Sequence, residues 1–366
     1  MSRLHDLHRL EGQSIWLDNL SRRYLRDGSL TGRIDQGVRG LTSNPTIFAK
    51  AIQGSSDYDE QFLDLIAEGH DPLGAYWELV ISDIATACET FESLHRSSDG
   101  VDGFVSVEVA PSLARDTEGT IAAARDLHER LGHSNAMIKI PATKEGLPAV
   151  RMMISEGRSV NVTLIFGLER YAEVIDAYIT GLEDLATDPA ADLSSVSSVA
   201  SFFISRVDTE VDRQLSDLGA ESLCGTAALA QGRLAYAMFT DRFAGPRWER
   251  LAARGARPQR PLWASTGTKN PNYSDVVYVD GLIGPLTVNT LPEPTLDAFI
   301  DHGAVERTVD IDGARDRDTW AHLAATGIDM AQVAEVLERE GLESFSASFD
   351  EVIAALTTKA RDLGGS

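Results

Sequence analysis

A lysine stands at the centre of the apolar stretch AMIKIPAT (residues 136–143), between Ile138 and Ile140. Alternate side chains of a strand point to opposite faces, so Lys139 faces away from both isoleucines. A lysine in an apolar interior loses its proton readily, and its neutral amine attacks ketones to form a Schiff base. The protonated imine draws electrons from a neighbouring carbon–carbon bond, which is class I aldol chemistry and needs no metal ion. A solvent-facing or ion-paired lysine is the alternative.

Two carboxylates could carry the protons that such a cleavage moves. Asp18 lies in SIWLDNLS (14–21) and Glu108 in FVSVEVAP (104–111), both strand-like runs. Charged side chains are almost never fully buried without partners, and burying them costs several kcal/mol each. We therefore expect Asp18, Glu108 and Lys139 to share one site, with a purely structural ion-pair network as the alternative.

Uncharged polar side chains recur at alternate positions of other strand-like runs. They are Thr42 and Asn44, Asn161 and Thr163, Ser201 and Ser205, Ser265, and Thr287 with Asn289. Asn44, Asn161, Thr163 and Ser201 could hydrogen-bond the hydroxyl groups of a substrate. For any single residue of the set, a satisfied core polar group or a turn residue is the alternative.

A phosphate site is predicted around ASTGTKNP (264–271), which offers Gly-containing backbone, Ser265 and Lys269. The loops after strands seven and eight of (β/α)₈ barrels often bind phosphate. Arg206 could add a planar fork for phosphate oxygens, unless it pairs instead with Asp208 or a neighbouring carboxylate.

Eight strand-like runs, mostly separated by amphipathic helical stretches, must position these residues. The runs are 14–21, 37–44, 104–111, 136–142, 160–166, 200–205, 261–266 and 285–290. Alternation of strands with helices indicates a parallel sheet, and eight such strands fit a closed (β/α)₈ TIM barrel. A doubly wound open sheet competes less well because no Gly-rich phosphate loop follows the first run.

Additional helices are expected within residues 223–255 and after about residue 291. No long linker divides the chain, so residues 1–366 are predicted to form a single barrel domain. The C-terminal helices, about 291–366, are expected to pack across the outside of the barrel.

Composition limits the classes of partner. The chain has 366 residues and a formal net charge of −23, with 43% hydrophobic residues. Nucleic acids and anionic membranes attract basic surfaces, so neither is an expected partner. No apolar run approaches a membrane span, the first residues do not resemble a secretory signal, and Cys88 and Cys224 form no disulfide framework or metal motif. A cytoplasmic location is therefore expected.

The segments taken together resemble the transaldolase family. GLTSNPTIF (40–48) and MIKIPATKEGLPAV (137–150) are the specific matches. Weaker matches are WLDNLSR, VSVEVAP, NVTLIF, SFFISRVD and ASTGTKNP, and the series covers almost all of residues 14–270. The extra length of this chain is similar to that of the longer bacterial members.

The resemblance implies four catalytic residues. Lys139 would form the Schiff base, and Asp18 would accept the proton of the C4 hydroxyl. Glu108 would act with a water molecule beside Thr163 in forming and breaking the carbinolamine. The implied reaction moves a dihydroxyacetone unit from sedoheptulose 7-phosphate to glyceraldehyde 3-phosphate, without metal or cofactor.

The resemblance also implies substrate-binding residues. Asn44 and Asn161 would hold the dihydroxyacetone unit with Ser201, and Arg206 and Ser265 would bind phosphate. Lys269 stands near an arginine of the shorter members, and Thr42 shares the face of Asn44.

Two other functions remain open at this stage. A fructose 6-phosphate aldolase would use the same imine chemistry, although the similar short aldolases carry glutamine where Glu108 stands. A non-catalytic barrel acting as a binding protein is the second. Sugar phosphates are the expected partners, and the chain could act as a monomer or a homodimer.

Overall fold

Eight parallel strands close into a barrel in the computed structural model, which describes residues 2–364. Neighbours in the chain are neighbours in the barrel, and the last strand pairs with the first. The strands are β1 (Ser14–Leu17), β2 (Gly40–Thr42), β3 (Phe104–Glu108), β4 (Ala136–Pro141), β5 (Val160–Ile165), β6 (Ser198–Phe203), β7 (Arg260–Ala264) and β8 (Val288–Leu291). The predicted (β/α)₈ barrel is confirmed, and the open-sheet alternative is wrong.

Sixteen α-helices are present among the described residues. They are α1 (Arg3–Glu11), α2 (Arg22–Arg26), α3 (Ser29–Asp35), α4 (Pro45–Gln53), α5 (Asp59–Ala67), α6 (Pro72–Ser97), α7 (Thr117–Leu131), α8 (Gly146–Ser155), α9 (Leu168–Leu185), α10 (Ser205–Asp217), α11 (Ala227–Arg242), α12 (Pro246–Ala252), α13 (Val277–Asp280), α14 (Glu293–His302), α15 (Gly313–Thr326) and α16 (Met330–Gly364).

The helix boundaries follow local sequence signals. Asp71 and Asp116 accept hydrogen bonds from backbone amides of the first turns of α6 and α7, which are otherwise unpaired. In α9, the residues that are buried recur at helical spacing, from Tyr171 through Val174 and Tyr178. The outer helices therefore present one apolar stripe each to the barrel wall.

An ionic cluster closes the amino-terminal end of the barrel. Asp102 is fully buried and receives hydrogen bonds from Arg39 at 2.6 Å, Ser14 at 3.0 Å and Arg260 at 3.2 Å. Burial alone would raise the pKa of Asp102, but Arg260 and Arg39 hold it below its usual value. This cluster stabilises the amino-terminal end, and active sites of (β/α)₈ barrels form at the opposite, carboxyl-terminal end.

The C-terminal segment lies where it was not expected. Helix α16 crosses the carboxyl-terminal mouth of the barrel, and its residues Ser344 and Phe345 line the cavity there. The prediction that it packs across the outside is wrong for this helix. Its amphipathic pattern indicated a buried face but could not indicate which surface that face covers.

Smaller features are also resolved. The additional helices expected within residues 223–255 are two α-helices, α11 and α12. Cys88 is buried, whereas Cys224 is only half-buried, and both are free thiols. Within residues 2–364, no helix combines the length and the apolar character that a membrane crossing requires.

Candidate active site

Lys139 and Glu108 form a buried ion pair at the centre of the barrel. Their Cα atoms are register partners on β4 and β3, and Lys139 Nζ lies 3.1 Å from Glu108 Oε2. The side chains are 6% and 3% exposed, respectively. Burial raises the pKa of Glu108, the charge of Lys139 opposes that rise, and Asp18 adds to it. Lys139 is thus ion-paired, as the alternative reading of this residue expected. The ion pair does not exclude a reaction at this amine.

Asp18 stands just after β1 and faces the same space. Thr42 donates a hydrogen bond to Asp18 Oδ1 at 2.7 Å, and the Thr42 hydroxyl lies 2.6 Å from that of Thr290 on β8. Burial raises the pKa of Asp18, while Lys139 and the Thr42 hydrogen bond lower it. The two carboxyl groups therefore differ in their direct contacts. Glu108 forms an ion pair with the Lys139 amine, whereas Asp18 accepts a hydrogen bond from Thr42.

Asn161 lies fully buried beside Lys139, its register partner on β5. Its amide donates to Ser106 Oγ at 3.1 Å and accepts from Ser201 Oγ at 2.7 Å. These bonds fix the orientation of Asn161 and of Ser201. Thr163 Oγ1, two residues further along β5, is buried and has no hydrogen-bond partner within residues 2–364. Such a hydroxyl is available to a water molecule or a substrate.

A cavity of about 360 Å³ opens at this end of the barrel. It brings together nine of the predicted site residues, Asp18, Thr42, Asn44, Lys139, Thr163, Ser201, Arg206, Ser265 and Lys269. Glu108 borders a second, small cavity behind Lys139, and Asn161 lies in neither lining. The volume lies within the usual range of small-molecule sites.

Asn44 combines a structural contact with a place on the cavity wall. Its side-chain oxygen accepts a hydrogen bond from Ile47 N at 3.0 Å and so caps α4, which begins at Pro45. Since the oxygen is engaged, the amide NH₂ group remains for the cavity. The Thr-Ser-Asn-Pro sequence therefore fixes both the helix start and the direction of Asn44.

A cationic side of the cavity is formed by the residues predicted to bind phosphate. Four cationic side chains line the cavity, against Asp18 as the one carboxylate in its lining. Arg206 is half-buried, forms no ion pair among the described residues and lies with its guanidinium 5.8 Å from the ring of Phe203. Burial lowers the pKa of Arg206, and Glu340 opposes this. The alternative that Arg206 pairs with Asp208 is wrong.

Ser265 reaches the cavity through an unusual backbone conformation. Strand β7 ends at Ala264, and Ser265 has a φ of +54°. Strict alternation would place Ser265 on the side of Trp263, whose indole donates to Leu282 O outside the barrel interior. The left-handed turn, which costs a non-glycine residue roughly 1–2 kcal/mol, redirects Ser265 towards the cavity. The prediction that 261–266 is all strand is therefore wrong at its end.

The loop that carries Ser265 and Lys269 is fastened to α10. Asp208 accepts hydrogen bonds from Ala228 N at 2.7 Å and from the hydroxyl of Tyr278 at 2.9 Å. Tyr273 donates to Asp212, one helical turn further, at 2.6 Å. Since Arg206 opens the same helix, these contacts fix its position relative to the loop.

Strand β8 contributes a different residue from those predicted. Thr290 lines the cavity, whereas Thr287 bonds to Gln13 and Asn289 accepts from Thr266 Oγ1 at 2.9 Å. The expected face for Thr287 and Asn289 is therefore wrong: Thr287 precedes β8 (Val288–Leu291), and within the strand Thr290, not Asn289, faces the cavity. Thr290 could have been found by placing Val288 and Thr290, which are two residues apart and share one face of the strand, on the interior side.

Lys50 and Phe345 are among the lining residues that were not predicted. Lys50 follows Asn44 on α4, and Phe345 comes from α16. Lys50 could have been found from its spacing, since it lies within two helical turns of the Thr-Ser-Asn-Pro sequence. No local signal placed Phe345, because its position depends on how α16 folds back over the mouth.

The arrangement has the parts that imine chemistry requires. A buried amine touches one carboxyl group, and a second carboxylate receives a hydroxyl hydrogen bond across the cavity. Cationic side chains at the rim suit an anionic end of a substrate.

The sequence is similar to a known family and to several known proteins. Residues 15–356 match the family Transaldolase/Fructose-6-phosphate aldolase. The chain is 51% identical over 351 residues to a transaldolase of Acidothermus cellulolyticus, covering 94% of each chain. It is 50% identical over 346 residues to one of Saccharopolyspora erythraea, covering 93% of each, and 49% identical over 352 residues to one of Thermobifida fusca, covering 93% and 94%. The chain therefore belongs to the transaldolase/fructose-6-phosphate aldolase family.

Proposed function

We propose that this protein is a transaldolase. It transfers a dihydroxyacetone unit from sedoheptulose 7-phosphate to glyceraldehyde 3-phosphate, giving erythrose 4-phosphate and fructose 6-phosphate in the pentose phosphate pathway. Its relatives across nearly their whole length are named transaldolases, which supports this choice within the family. The observation that carries the mechanism is the buried contact between Lys139 and Glu108 on the cavity wall.

Lys139 is the proposed nucleophile. Its amine attacks the ketone carbon, and loss of water gives an imine with the lysine nitrogen. Glu108, at 3.1 Å from that nitrogen, is placed to move protons as the carbinolamine forms and collapses. Thr163 Oγ1, which lacks a partner in the described structure, would hold the water molecule that takes part.

Asp18 is the proposed base for carbon–carbon cleavage. It takes the proton of the C4 hydroxyl as the C3–C4 bond breaks, and it returns a proton when the acceptor aldehyde is attacked. Thr42 keeps the Asp18 carboxylate oriented and favours its ionised form. Asn44, Asn161 and Ser201 hold the dihydroxyacetone unit.

The phosphate group of either substrate is proposed to lie at the cationic side of the cavity. Arg206 and Ser265 would contact it, with Lys269 at the exposed rim. Binding there fixes the distance from the phosphate to the reacting carbon, which aligns the carbonyl with Lys139.

Borohydride reduction in the presence of fructose 6-phosphate tests the mechanism. We expect a stable adduct whose mass corresponds to the reduced imine and which maps to the peptide containing Lys139. An adduct on a different lysine, or none, would contradict the proposed chemistry.

Product analysis separates transfer from simple aldol cleavage. With erythrose 4-phosphate present, fructose 6-phosphate should give sedoheptulose 7-phosphate and glyceraldehyde 3-phosphate. Without an acceptor, free dihydroxyacetone should form much more slowly. Equal rates with and without the acceptor would indicate a fructose 6-phosphate aldolase instead.

We further propose that residues 1–366 act as one unit in the cytoplasm, as a monomer or homodimer, with sugar phosphates as partners. Lysine supplies the electron sink, so the chemistry requires no metal or cofactor. Neither nucleic acid nor a membrane is a proposed partner of so acidic a chain.

A further inference from the structure

Helix α16 spans the mouth of the barrel from β5 to β2. At Gly341 it approaches the end of β5 so closely that an added Cβ atom would lie 3.1 Å from Leu164 Cδ2. Two turns later, Ser348 Oγ lies 2.8 Å from Thr46 Oγ1 at the start of α4. The intervening residues are thereby held over the opening.

Phe345 lies midway along this crossing and faces the amine. Its ring centroid is 5.7 Å from Lys139 Nζ, and only 6% of the residue is exposed. That distance lies within the range in which a cation interacts with an aromatic face. Lys139 Nζ therefore lies close to both the carboxyl group of Glu108 and a phenyl ring.

Phe349, one turn further along α16, covers the carboxyl side. It lines the small cavity that also contains Glu108 and Tyr76, and its ring meets that of Tyr76 edge-on with centroids 5.3 Å apart. This cavity measures about 10 Å³, which is roughly the room of one water molecule. Two phenylalanines one turn apart thus restrict water around both members of the ion pair.

The enamine intermediate of the transfer reaction must be protected from water. After C3–C4 cleavage, the electrons of that bond lie in an enamine joined to Lys139, and the aldehyde product leaves. If C3 then receives a proton, an iminium ion forms. Water can add to its C2, after which the carbon–nitrogen bond breaks and releases dihydroxyacetone and the free amine. Transfer requires the enamine carbon to attack an acceptor aldehyde before that proton arrives.

We propose that Phe345 is a positioning residue that sets the ratio of transfer to hydrolytic release, by keeping water away from the enamine on Lys139. The proposal rests on the proposed transaldolase function and extends it to a residue outside the barrel strands. Phe345 bears no group that can move a proton, so its contribution is exclusion of water and contact with the cationic nitrogen. The cavity that Phe345 lines also contains Arg206 and Lys269, which would receive the phosphate of the acceptor.

Phe345→Ala tests the proposal, with Phe345→Leu as a variant that retains most of the apolar volume. Leu356→Ala is the matched control, because Leu356 is a buried residue of α16 that does not line the cavity. For each protein, two rates are measured from fructose 6-phosphate, transfer to erythrose 4-phosphate and release of dihydroxyacetone without acceptor. Borohydride trapping and thermal unfolding accompany both.

We expect the ratio of release to transfer to rise about tenfold or more in Phe345→Ala, less in Phe345→Leu, and not at all in Leu356→Ala. A ratio that stays within about twofold of the wild type in both Phe345 variants would overturn the proposal. So would an equal change in Leu356→Ala, since that would assign the effect to loosening of α16. If Phe345→Ala does not fold, the leucine variant decides alone. A wild-type protein that neither traps nor transfers would refute the proposed imine chemistry, and one that traps without transferring would refute the proposed transaldolase function. A wild-type protein that does both, with an unchanged ratio in the Phe345 variants, would refute only the role of Phe345.

Discussion

The Nζ atom of Lys139 and the Oε2 atom of Glu108 lie 3.1 Å apart in the barrel interior, with both side chains almost completely buried. Register pairing of β3 with β4 creates this contact, since the two residues are Cα partners. Burial raises the pKa of Glu108 and the ammonium of Lys139 opposes that rise, so removal of the lysine changes the protonation of this carboxyl group.

Lys139→Met should abolish turnover and borohydride trapping while the protein still folds. The loss of the ammonium removes the group that lowers the pKa of Glu108. A carboxyl group whose pKa is raised on folding binds more protons in the folded protein than in the unfolded chain. Its contribution to stability is therefore present at low pH and is lost as the pH rises towards the folded pKa.

The raised pKa of Glu108 therefore predicts how the stability of Lys139→Met depends on pH. Thermal unfolding of Lys139→Met should show a larger loss of stability, relative to wild type, at pH 8 than at pH 5. A protein that is equally destabilised at both values would show that Glu108 does not depend on Lys139 for its charge.

Glu108→Gln should slow the formation of the imine rather than the cleavage that follows. Glutamine keeps the shape but cannot exchange a proton, and general acid–base groups contribute about 10²–10⁴-fold to rates. Single-turnover trapping with borohydride at successive times measures imine formation directly. If the adduct forms at the wild-type rate while turnover falls, Glu108 acts at a different step.

Asp18→Asn should leave the imine intact and stop cleavage. The amide cannot accept the C4 hydroxyl proton, so borohydride should still trap the adduct while no glyceraldehyde 3-phosphate appears. Loss of the adduct itself would assign Asp18 to imine formation instead.

Thr42→Val is the companion variant to Asp18→Asn. The Thr42 hydroxyl lowers the pKa of Asp18 by bonding its ionised form. Without it that pKa rises, and the acidic limb of the pH–rate profile should move to higher pH. An unshifted limb would show that a different group controls it.

Much of this site could be predicted because strand alternation is a local property. Lys139, Glu108 and Asn161 occupy alternate positions of short runs whose other positions are apolar, and parity alone placed them towards the interior. Thr290 was missed because Thr287 and Asn289 are the more conspicuous polar alternation, whereas the pairing of β8 with β1 sets Thr290 opposite Trp16. Ser265 reaches the cavity only through its positive φ, which no pattern of apolar residues encodes.

Contacts between residues far apart in the chain could not be predicted from the sequence. The cluster of Asp102 with Arg39 and Arg260 joins residues from distant parts of the chain, so no single segment signals it. The same holds for Phe345, whose helix shows a buried face but not its partner. Both depend on tertiary packing, which local propensity does not determine.

Arg206→Ala should weaken binding of phosphorylated substrates far more than that of unphosphorylated ones. Arg206 is half-buried and forms no ion pair in the described structure, so its charge remains available for a substrate. We expect the kcat/KM for fructose 6-phosphate to fall by about 10²-fold, with the activity on fructose nearly unchanged. Lys269→Ala, at the exposed rim, should cause a smaller loss of the same kind. Equal losses on both substrates would place Arg206 outside the phosphate site.

Asp208 offers a test of how the phosphate loop is fastened. Burial raises the pKa of Asp208 from 3.8 to about 6, against the lowering effects of Ala228 N–H and the Tyr278 hydroxyl, while Asp212 adds to the rise. The folded protein therefore binds more protons than the unfolded chain between these values. The contribution of this group to the free energy of unfolding is fully present below pH 4. It declines by roughly 3 kcal/mol as the pH rises through about 6.

Asp208→Asn removes that decline, because asparagine does not ionise and can still accept from Ala228 N. Relative to wild type, the variant should gain roughly 3 kcal/mol in free energy of unfolding between pH 4 and pH 7, measured by urea denaturation. Asp217→Asn is the control, since Asp217 is an exposed carboxylate of the same helix and should produce no such trend. A parallel pH dependence in Asp208→Asn and wild type would show that Asp208 is ionised throughout, and that its bonds to Ala228 and Tyr278 outweigh its burial.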